Sequence, residues 1–207
     1  MAEEEKKEEN LASEVKDIST DYKSKQAMPT DIPEEVKKEM EKTREKLEKF
    51  KKEILKKYNF TLAIGILPPQ ASEKFEDEEE VPEKDRKEKP IHVLIVIPEE
   101  KFKEMIKIKA DIVKSVEGMK PRVWIHVKTP VDLFNYCLDS KFEIAEAIAM
   151  SFPLFDKGIL GAFRVAEIHK SLCLRKFEKY VASYVIAGSL VRGTATKESD
   201  VDVYIVI

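Results

Sequence analysis

The sequence predicts an α/β protein in which a mixed β-sheet is flanked by helices. Short segments rich in β-branched residues, which are typical of strands, alternate with longer segments whose apolar residues recur at helical spacing. The predicted strands are residues 62–65, 90–97, 122–128, 185–188 and 200–207, and the predicted helices are residues 31–57, 99–117, 130–151 and 160–181. Strands and helices that alternate in this way indicate a sheet covered by helices.

The first predicted helix begins at Asp31 and continues to about Lys57. Asp31 is suited to the N-cap, and Pro33 to the first turn, where its missing N–H has no intrahelical partner to lose. Apolar residues recur near helical spacing at Val36, Met40, Leu47, Phe50, Ile54 and Leu55. We interpret this stripe as a core-facing surface, and a coiled-coil partner face is the alternative.

Two further signals mark the ends of helices. Gly118, followed by Pro121, is predicted to end the helix that covers residues 99–117. Asp156 lies between the last two predicted helices, where its short acidic side chain fits an Asx-type turn or the start of a helix better than a catalytic role.

Composition limits the class of protein. The 207 residues are 43% hydrophobic, which is enough for one large or two small domains. Although 37% of residues are charged, the net charge is −3, so no extended basic face for nucleic acid is expected. Two cysteines, Cys137 and Cys173, are expected to be reduced, packed thiols. No apolar run reaches the length of a membrane span and the start lacks a signal-peptide core, so we expect a cytoplasmic protein without a membrane partner.

Two segments are too polar to belong to a core. Residues 1–30 are predicted to form a disordered charged tail, and residues 68–90, which are acidic and contain prolines, are predicted to form a mobile loop.

The most informative segment is residues 186–207, which combines a Gly-Ser turn with two alternating carboxylates. Side chains alternate along a strand, so Asp200 and Asp202 are predicted to point to one face. Two carboxylates placed so repel each other unless a cation lies between them, and Mg²⁺ takes oxygen ligands and completes its shell with substrate phosphates. Gly188 allows a phosphate to approach the backbone, and Ser189 adds a hydroxyl group. The pattern therefore predicts a site for a metal ion and a triphosphate. A Gly-Ser turn alone or an Asp-x-Asp pair alone is common by chance.

At these residues the chain resembles the nucleotidyltransferase superfamily typified by DNA polymerase beta. Gly188, Ser189, Asp200 and Asp202 match the four motif positions, and Arg192, Gly193 and Ser199 resemble the loop of small members of the superfamily. The resemblance implies transfer of a nucleoside monophosphate from a nucleoside triphosphate to an acceptor, with Mg²⁺ or Mn²⁺ held by the two aspartates. It also implies that Gly188, Ser189, Arg192 and Ser199 contact the nucleotide.

An internal similarity suggests that the domain is duplicated, as in archaeal-type proteins with tandem nucleotidyltransferase domains. Residues 62–65 align with 185–188, and residues 90–97 align with 200–207. Pro90 and His92 then stand where Asp200 and Asp202 stand, and His126 on the next strand takes the place of a third carboxylate. We therefore predict a degenerate first domain over residues 31–172. His92 and His126 are expected to face one site.

Residues 173–207 are then predicted to be the first part of a catalytic domain. The third carboxylate of the superfamily would follow on a later strand, so the sequence is predicted to be a C-terminally truncated fragment. The intact protein is predicted to be an enzyme and the 207-residue chain to be inactive. The alternative function is a non-catalytic pseudoenzyme or protein-binding scaffold. The acceptor, which is RNA, a protein or a small molecule, and the oligomeric state are left open.

Overall fold

The computed structural model of the protein describes residues 34–78, 90–196 and 198–207, except the side chains of residues 35 and 36. Contacts divide the chain into two units, residues 1–44 and 45–207. The predicted tail, the N-cap Asp31 and Pro33 lie outside the described residues. The predicted domain boundary at residues 172 and 173 falls inside a helix, and that division stays a prediction.

The described residues form an α+β fold with seven α-helices and six strands. In chain order these are α1 (Glu34–Lys57), β1 (Ala63–Ile66), α2 (Ser72–Glu78), β2 (Ile91–Val96), α3 (Met105–Ser115), β3 (Val123–Lys128), α4 (Pro130–Leu138), α5 (Phe142–Ala149), β4 (Phe152–Asp156), α6 (Ile159–Phe177), β5 (Ser183–Ala187), α7 (Gly188–Val191) and β6 (Asp202–Val206). Short 3₁₀ helices cover Pro69–Ala71 and Glu99–Glu104. None of the described helices has the length and apolar character needed to cross a membrane.

The described strands form a four-stranded sheet in the order β3-β2-β1-β4 and a separate two-stranded sheet of β5 and β6. Strands β2 and β3 are parallel, and β1 is antiparallel to both β2 and β4. The larger sheet is therefore mixed and helices flank it, which confirms the predicted fold class. β4 contains Pro153, and Pro is tolerated at the edge of a sheet, where β4 lies.

The larger sheet separates two hydrophobic cores. Alternate residues of β2 point to opposite faces, so Leu94 and Val96 join one core and Val93 and Ile95 join the other. The first core includes buried residues of α4, α5 and α6, and the second includes buried residues of α1 and α3. Both faces of the sheet are thus covered, which explains why β2 reads as a nearly continuous apolar run.

The apolar stripe of α1 is confirmed in its C-terminal half. Leu47, Phe50 and Ile54 are buried in the second core, and Leu55 packs at its margin. Met40 is exposed, and the side chain of Val36 is not described. The core-facing interpretation therefore holds for the helix from Leu47 onward.

Several predicted boundaries were wrong. The single helix over residues 130–151 is two helices, because the chain turns at Ser140, which has a φ of 59°. The helix over residues 99–117 begins as a 3₁₀ turn after Pro98 and ends at Ser115, and the last predicted helix ends at Phe177. Part of the predicted mobile loop is helical, since α2 places Phe75 in the first core.

The hairpin of β5 and β6 is anchored through the turn that connects its strands. Leu190 of α7 is completely buried in the first core, and Ala195 of the following loop is also buried there. Partly buried Ile186, Val191 and Val201 pack against the same core. The hairpin is therefore held by its connecting segment, whereas Tyr204 and Val206 near its end are exposed.

Candidate nucleotide-binding site

The turn at Gly188 lies directly beneath the carboxylate of Asp202. Strand β5 pairs with β6 so that Ala187 is opposite Asp202, which places Gly188 beside the start of β6. Gly188 has a φ of +74°, and a Cβ atom at this position would lie 1.9 Å from Oδ2 of Asp202. A side chain at residue 188 would therefore collide with the carboxylate. The glycine is needed for both its backbone conformation and this close approach.

The remaining predicted nucleotide contacts lie on the same turn and loop. Ser189 is the second residue of α7 and is half-buried, and Arg192 follows α7 with an exposed side chain. The carbonyl of Ser189 accepts a hydrogen bond from the backbone N–H of Thr194 at 2.9 Å. This bond closes the chain around α7 and keeps Ser189 and Arg192 on one short segment.

Ser199 has a structural partner within the loop. Its hydroxyl accepts a hydrogen bond from the backbone N–H of Thr196 at 2.9 Å and lies 3.2 Å from the Thr196 hydroxyl. These bonds order the loop that leads to the two aspartates. The predicted contact between Ser199 and a nucleotide stays a prediction.

Both aspartates are exposed, and only one belongs to a strand. β6 begins at Asp202, so the predicted strand start at Asp200 was two residues too early. Side-chain alternation therefore does not fix the direction of Asp200, and the predicted common face of the pair stays a prediction. Exposed carboxylates keep their oxygen atoms available to a cation, and oxygen is the donor that Mg²⁺ prefers.

Among the residues described, no group of three or more His, Cys, Asp or Glu side chains is arranged to hold a metal ion. Phosphate oxygens of a nucleotide commonly supply further ligands to Mg²⁺. The pair has the donor chemistry for a metal that binds together with a nucleotide.

Two other acidic residues have structural roles at the starts of helices, and this role was predicted for Asp156. Asp156 accepts hydrogen bonds from the backbone N–H groups of Gly158, Leu160 and Gly161 at the start of α6. Asp132 and Thr129 form a capping box at the start of α4. These carboxylates satisfy helix N-termini.

His92 on β2 and His126 on β3 meet as predicted. Nδ1 of His92 lies 2.9 Å from Nε2 of His126, and both rings are buried. The carboxylate of Glu76, which the sequence analysis did not single out, approaches His92 with its Oε1 atom 3.7 Å from Nε2. Glu76 could not be anticipated because it lies on the segment that was predicted to be mobile.

The strand register corrects one part of the proposed internal alignment. Gly65 is inside β1 opposite Leu94, so it does not occupy the turn position of Gly188. The backbone N–H of Leu67 donates to the carbonyl of His92, and Leu67 is thus the residue opposite His92, as Ala187 is opposite Asp202. The two aligned strand pairs differ by three residues in register. Gly65 instead allows close packing, since a Cβ atom there would lie 3.0 Å from a Leu160 methyl carbon.

The comparisons with known proteins point to one class of protein. Residues 167–207 match the family model of the nucleotidyltransferase domain, so the C-terminal part of the chain is similar to proteins that transfer nucleotidyl groups. The matched segment runs from α6 to the end of β6 and includes all six predicted site residues. No curated protein and no solved structure shows significant similarity to the chain.

Proposed function

We propose that residues 188–202 bind a nucleoside triphosphate together with a divalent cation for transfer of its nucleoside monophosphate to an acceptor. The observation that carries this proposal is the contact between the Gly188 turn and the Asp202 carboxylate. A glycine with positive φ lets the Asp202 carboxylate lie against the backbone of the turn, where it can hold the cation that accompanies a phosphate. The family match supports nucleotidyl transfer as the general chemistry.

Asp200 and Asp202 are the residues that would hold Mg²⁺ or Mn²⁺. When bound, such an ion neutralises charge on the phosphate oxygens. Gly188 and Ser189 would contact the triphosphate, with the serine hydroxyl as a donor. Arg192 is exposed and would offer its guanidinium to the same phosphates. Ser199 would order the loop that carries the aspartates through its hydrogen bond to Thr196. The rate would come from positioning and electrostatics.

The acceptor in this proposal is RNA, a protein or a small molecule that presents a hydroxyl group. The described residues place no basic surface beside the site that favours one of these classes.

We call the β1–β2 pair the first hairpin and the β5–β6 pair the second hairpin. The first hairpin would be a degenerate copy of the second. In both strand pairs the strands are antiparallel, and a described helix follows the first strand. His92 takes the place of Asp202 relative to the paired strand, and His126 lies on the neighbouring strand. Buried imidazole rings that bond to each other offer none of the anionic oxygens that hold Mg²⁺, so the proposed activity belongs to the second hairpin.

Binding of Mg²⁺-ATP to the 207-residue chain tests the proposal without depending on catalysis. We expect calorimetric titration to detect binding that requires Mg²⁺ and that weakens at least about tenfold in Asp202→Asn, because removing one ligand charge typically costs a metal site 1.4 kcal/mol or more, on the order of a tenfold change. Asp139→Asn is the matched control, since it makes the same change at an exposed residue at the end of α4.

The alternative is a non-catalytic protein-binding scaffold, which is favoured by the exposed apolar residues Tyr204 and Val206 on β6. It predicts that neither Asp202→Asn nor Asp139→Asn alters any nucleotide titration. Equal behaviour of the two variants, or binding that does not depend on Mg²⁺, would therefore refute the transferase proposal.

A further inference from the structure

One face of the second hairpin continues from the Asp202 carboxylate as an apolar surface. Side chains alternate along β6, so Tyr204 and Val206 lie on the same face as Asp202. Val185 of β5 is directly opposite Tyr204 and belongs to this face, with the two Cβ atoms about 5 Å apart, as is usual for a cross-strand pair. We refer to Val185, Tyr204 and Val206 as the apolar platform.

The apolar platform is on the side of the hairpin that faces away from α6. The opposite side is turned toward α6 and the first core, since the Tyr184 hydroxyl donates to the carbonyl of Ala166 at 3.2 Å and Ile186 packs against that core. Tyr204 is 64% exposed and Val185 is 45% exposed. A flat apolar ligand that covers these side chains would gain the free energy of removing them from water.

The order of groups along the hairpin matches the order of groups in a nucleoside triphosphate. The Gly188 turn lies at one end, the Asp202 carboxylate comes next, and Tyr204 follows about 7 Å further along β6 at two residues of strand rise. Nucleotidyl transfer breaks the bond between the α- and β-phosphates, so a cation at Asp202 is best placed beside the α-phosphate. With the other two phosphates at the turn, the nucleoside extends in the opposite direction, over the platform.

We propose that Tyr204 binds the nucleobase of the donor nucleotide by stacking, with Val185 supporting the edge of the base. This inference rests on the function proposed above and names the part of the substrate that the phosphate and metal residues leave unrecognised. Every base has a π-face, so stacking on an aromatic ring tolerates all of them. Purines are favoured over pyrimidines because the larger ring system covers more of the platform.

The test compares two ligands that share a triphosphate chain, Mg²⁺-ATP and Mg²⁺-tripolyphosphate, in calorimetric titrations of the 207-residue chain. Tyr204→Leu keeps an apolar side chain but removes the π-face, and we expect it to weaken binding of Mg²⁺-ATP about tenfold, a loss typical of base stacking on an aromatic side chain. Tyr204→Phe keeps the ring and should bind Mg²⁺-ATP as the unaltered chain does. Neither change should affect Mg²⁺-tripolyphosphate, which has no base.

Two further measurements separate stacking from an effect on the fold. Tyr180→Leu is the matched control, since it makes the same change at a tyrosine that is 71% exposed and lies beyond the end of α6. It should leave both titrations unchanged. The unaltered chain should also bind Mg²⁺-ATP more tightly than Mg²⁺-UTP, and this preference should shrink in Tyr204→Leu. Circular dichroism checks that each variant is folded.

The outcomes distinguish this inference from the proposed function. If the unaltered chain binds neither ligand in a Mg²⁺-dependent way, the proposed nucleotide site is wrong and the base platform falls with it. If the chain binds Mg²⁺-tripolyphosphate as tightly as Mg²⁺-ATP, or if Tyr204→Leu leaves Mg²⁺-ATP binding unchanged, the phosphate and metal site stands and the platform is refuted. Equal weakening of both ligands by Tyr204→Leu would also refute stacking.

Discussion

Replacement of Gly188 by alanine should damage the fold and the candidate site together, because a Cβ atom would meet the Asp202 carboxylate. An L-residue in the left-handed conformation costs about 1–2 kcal/mol. The new Cβ atom would lie 1.9 Å from Oδ2 and 2.9 Å from Cγ of Asp202, so the carboxylate must leave its position, at a cost of about 0.5–1.5 kcal/mol for an unfavourable rotamer. The lower entropy of the unfolded alanine chain returns about 0.4–1 kcal/mol. We expect a net loss of about 2 kcal/mol.

Gly118→Ala is the matched control. Gly118 has a φ of +78°, close to that of Gly188, but a Cβ atom there would have no neighbour within 4 Å. It should therefore show the backbone cost without the collision, and the difference between the two variants should isolate the contact with Asp202. Urea denaturation followed by circular dichroism measures both free energies of unfolding.

A double-mutant cycle makes the explanation refutable. Asp202→Ala removes the two atoms that Gly188→Ala would strike most closely, so the double variant should be more stable than the sum of the two single changes predicts. Equal destabilisation by Gly188→Ala and Gly118→Ala, or simple additivity in the cycle, would show that the close approach has no energetic effect.

Two further predictions concern other parts of the structure. Leu190→Ala should lower the free energy of unfolding by about 2–5 kcal/mol in urea denaturation, because it empties a fully buried position that anchors the second hairpin, whereas Leu172→Ala, at a side chain that is 57% exposed, should change it by less than about 0.5 kcal/mol. Burial and a hydrogen bond to Asp111 raise the pKa of Tyr58 to about 12. Since this pKa lies above the ordinary value of 10.0, the contribution to stability is complete below pH 10 and is lost as the pH rises through 12. Ultraviolet titration should show a late rise in tyrosinate absorbance, and the part of it that belongs to Tyr58 should move to lower pH in Asp111→Asn. An unchanged titration of this variant would contradict the assignment.

The larger elements were predictable from the sequence because their signals are local. β2 and β3 are rich in β-branched residues, and α1 and α6 carry apolar residues at helical spacing. The break between α4 and α5 was not predictable, since Ser140 adopts positive φ without a glycine or proline to mark it. The chain there is held by tertiary packing on both sides, as α4 and α5 both contribute to the first core.

The residues of the candidate site could be named from the sequence motif, whereas their relative positions could not. Gly188 and Asp202 were identified by a motif, but their contact depends on the register of β5 against β6. Register is set by the connecting turn and by which side chains are buried, and a one-residue difference would change the facing residues. The same limitation explains why Gly65 was aligned with Gly188.

The buried pair of His92 and His126 affects whether the larger sheet needs a bound cation. Two carboxylates in the positions of His92 and His126 would be buried like charges, and the hairpin would then need a bound cation in order to fold. The two imidazole rings that stand there instead are hydrogen-bonded to each other and do not bring that requirement. Packing of the larger sheet therefore does not depend on a cation at these positions, whereas the carboxylates of Asp200 and Asp202 are exposed and accessible to one.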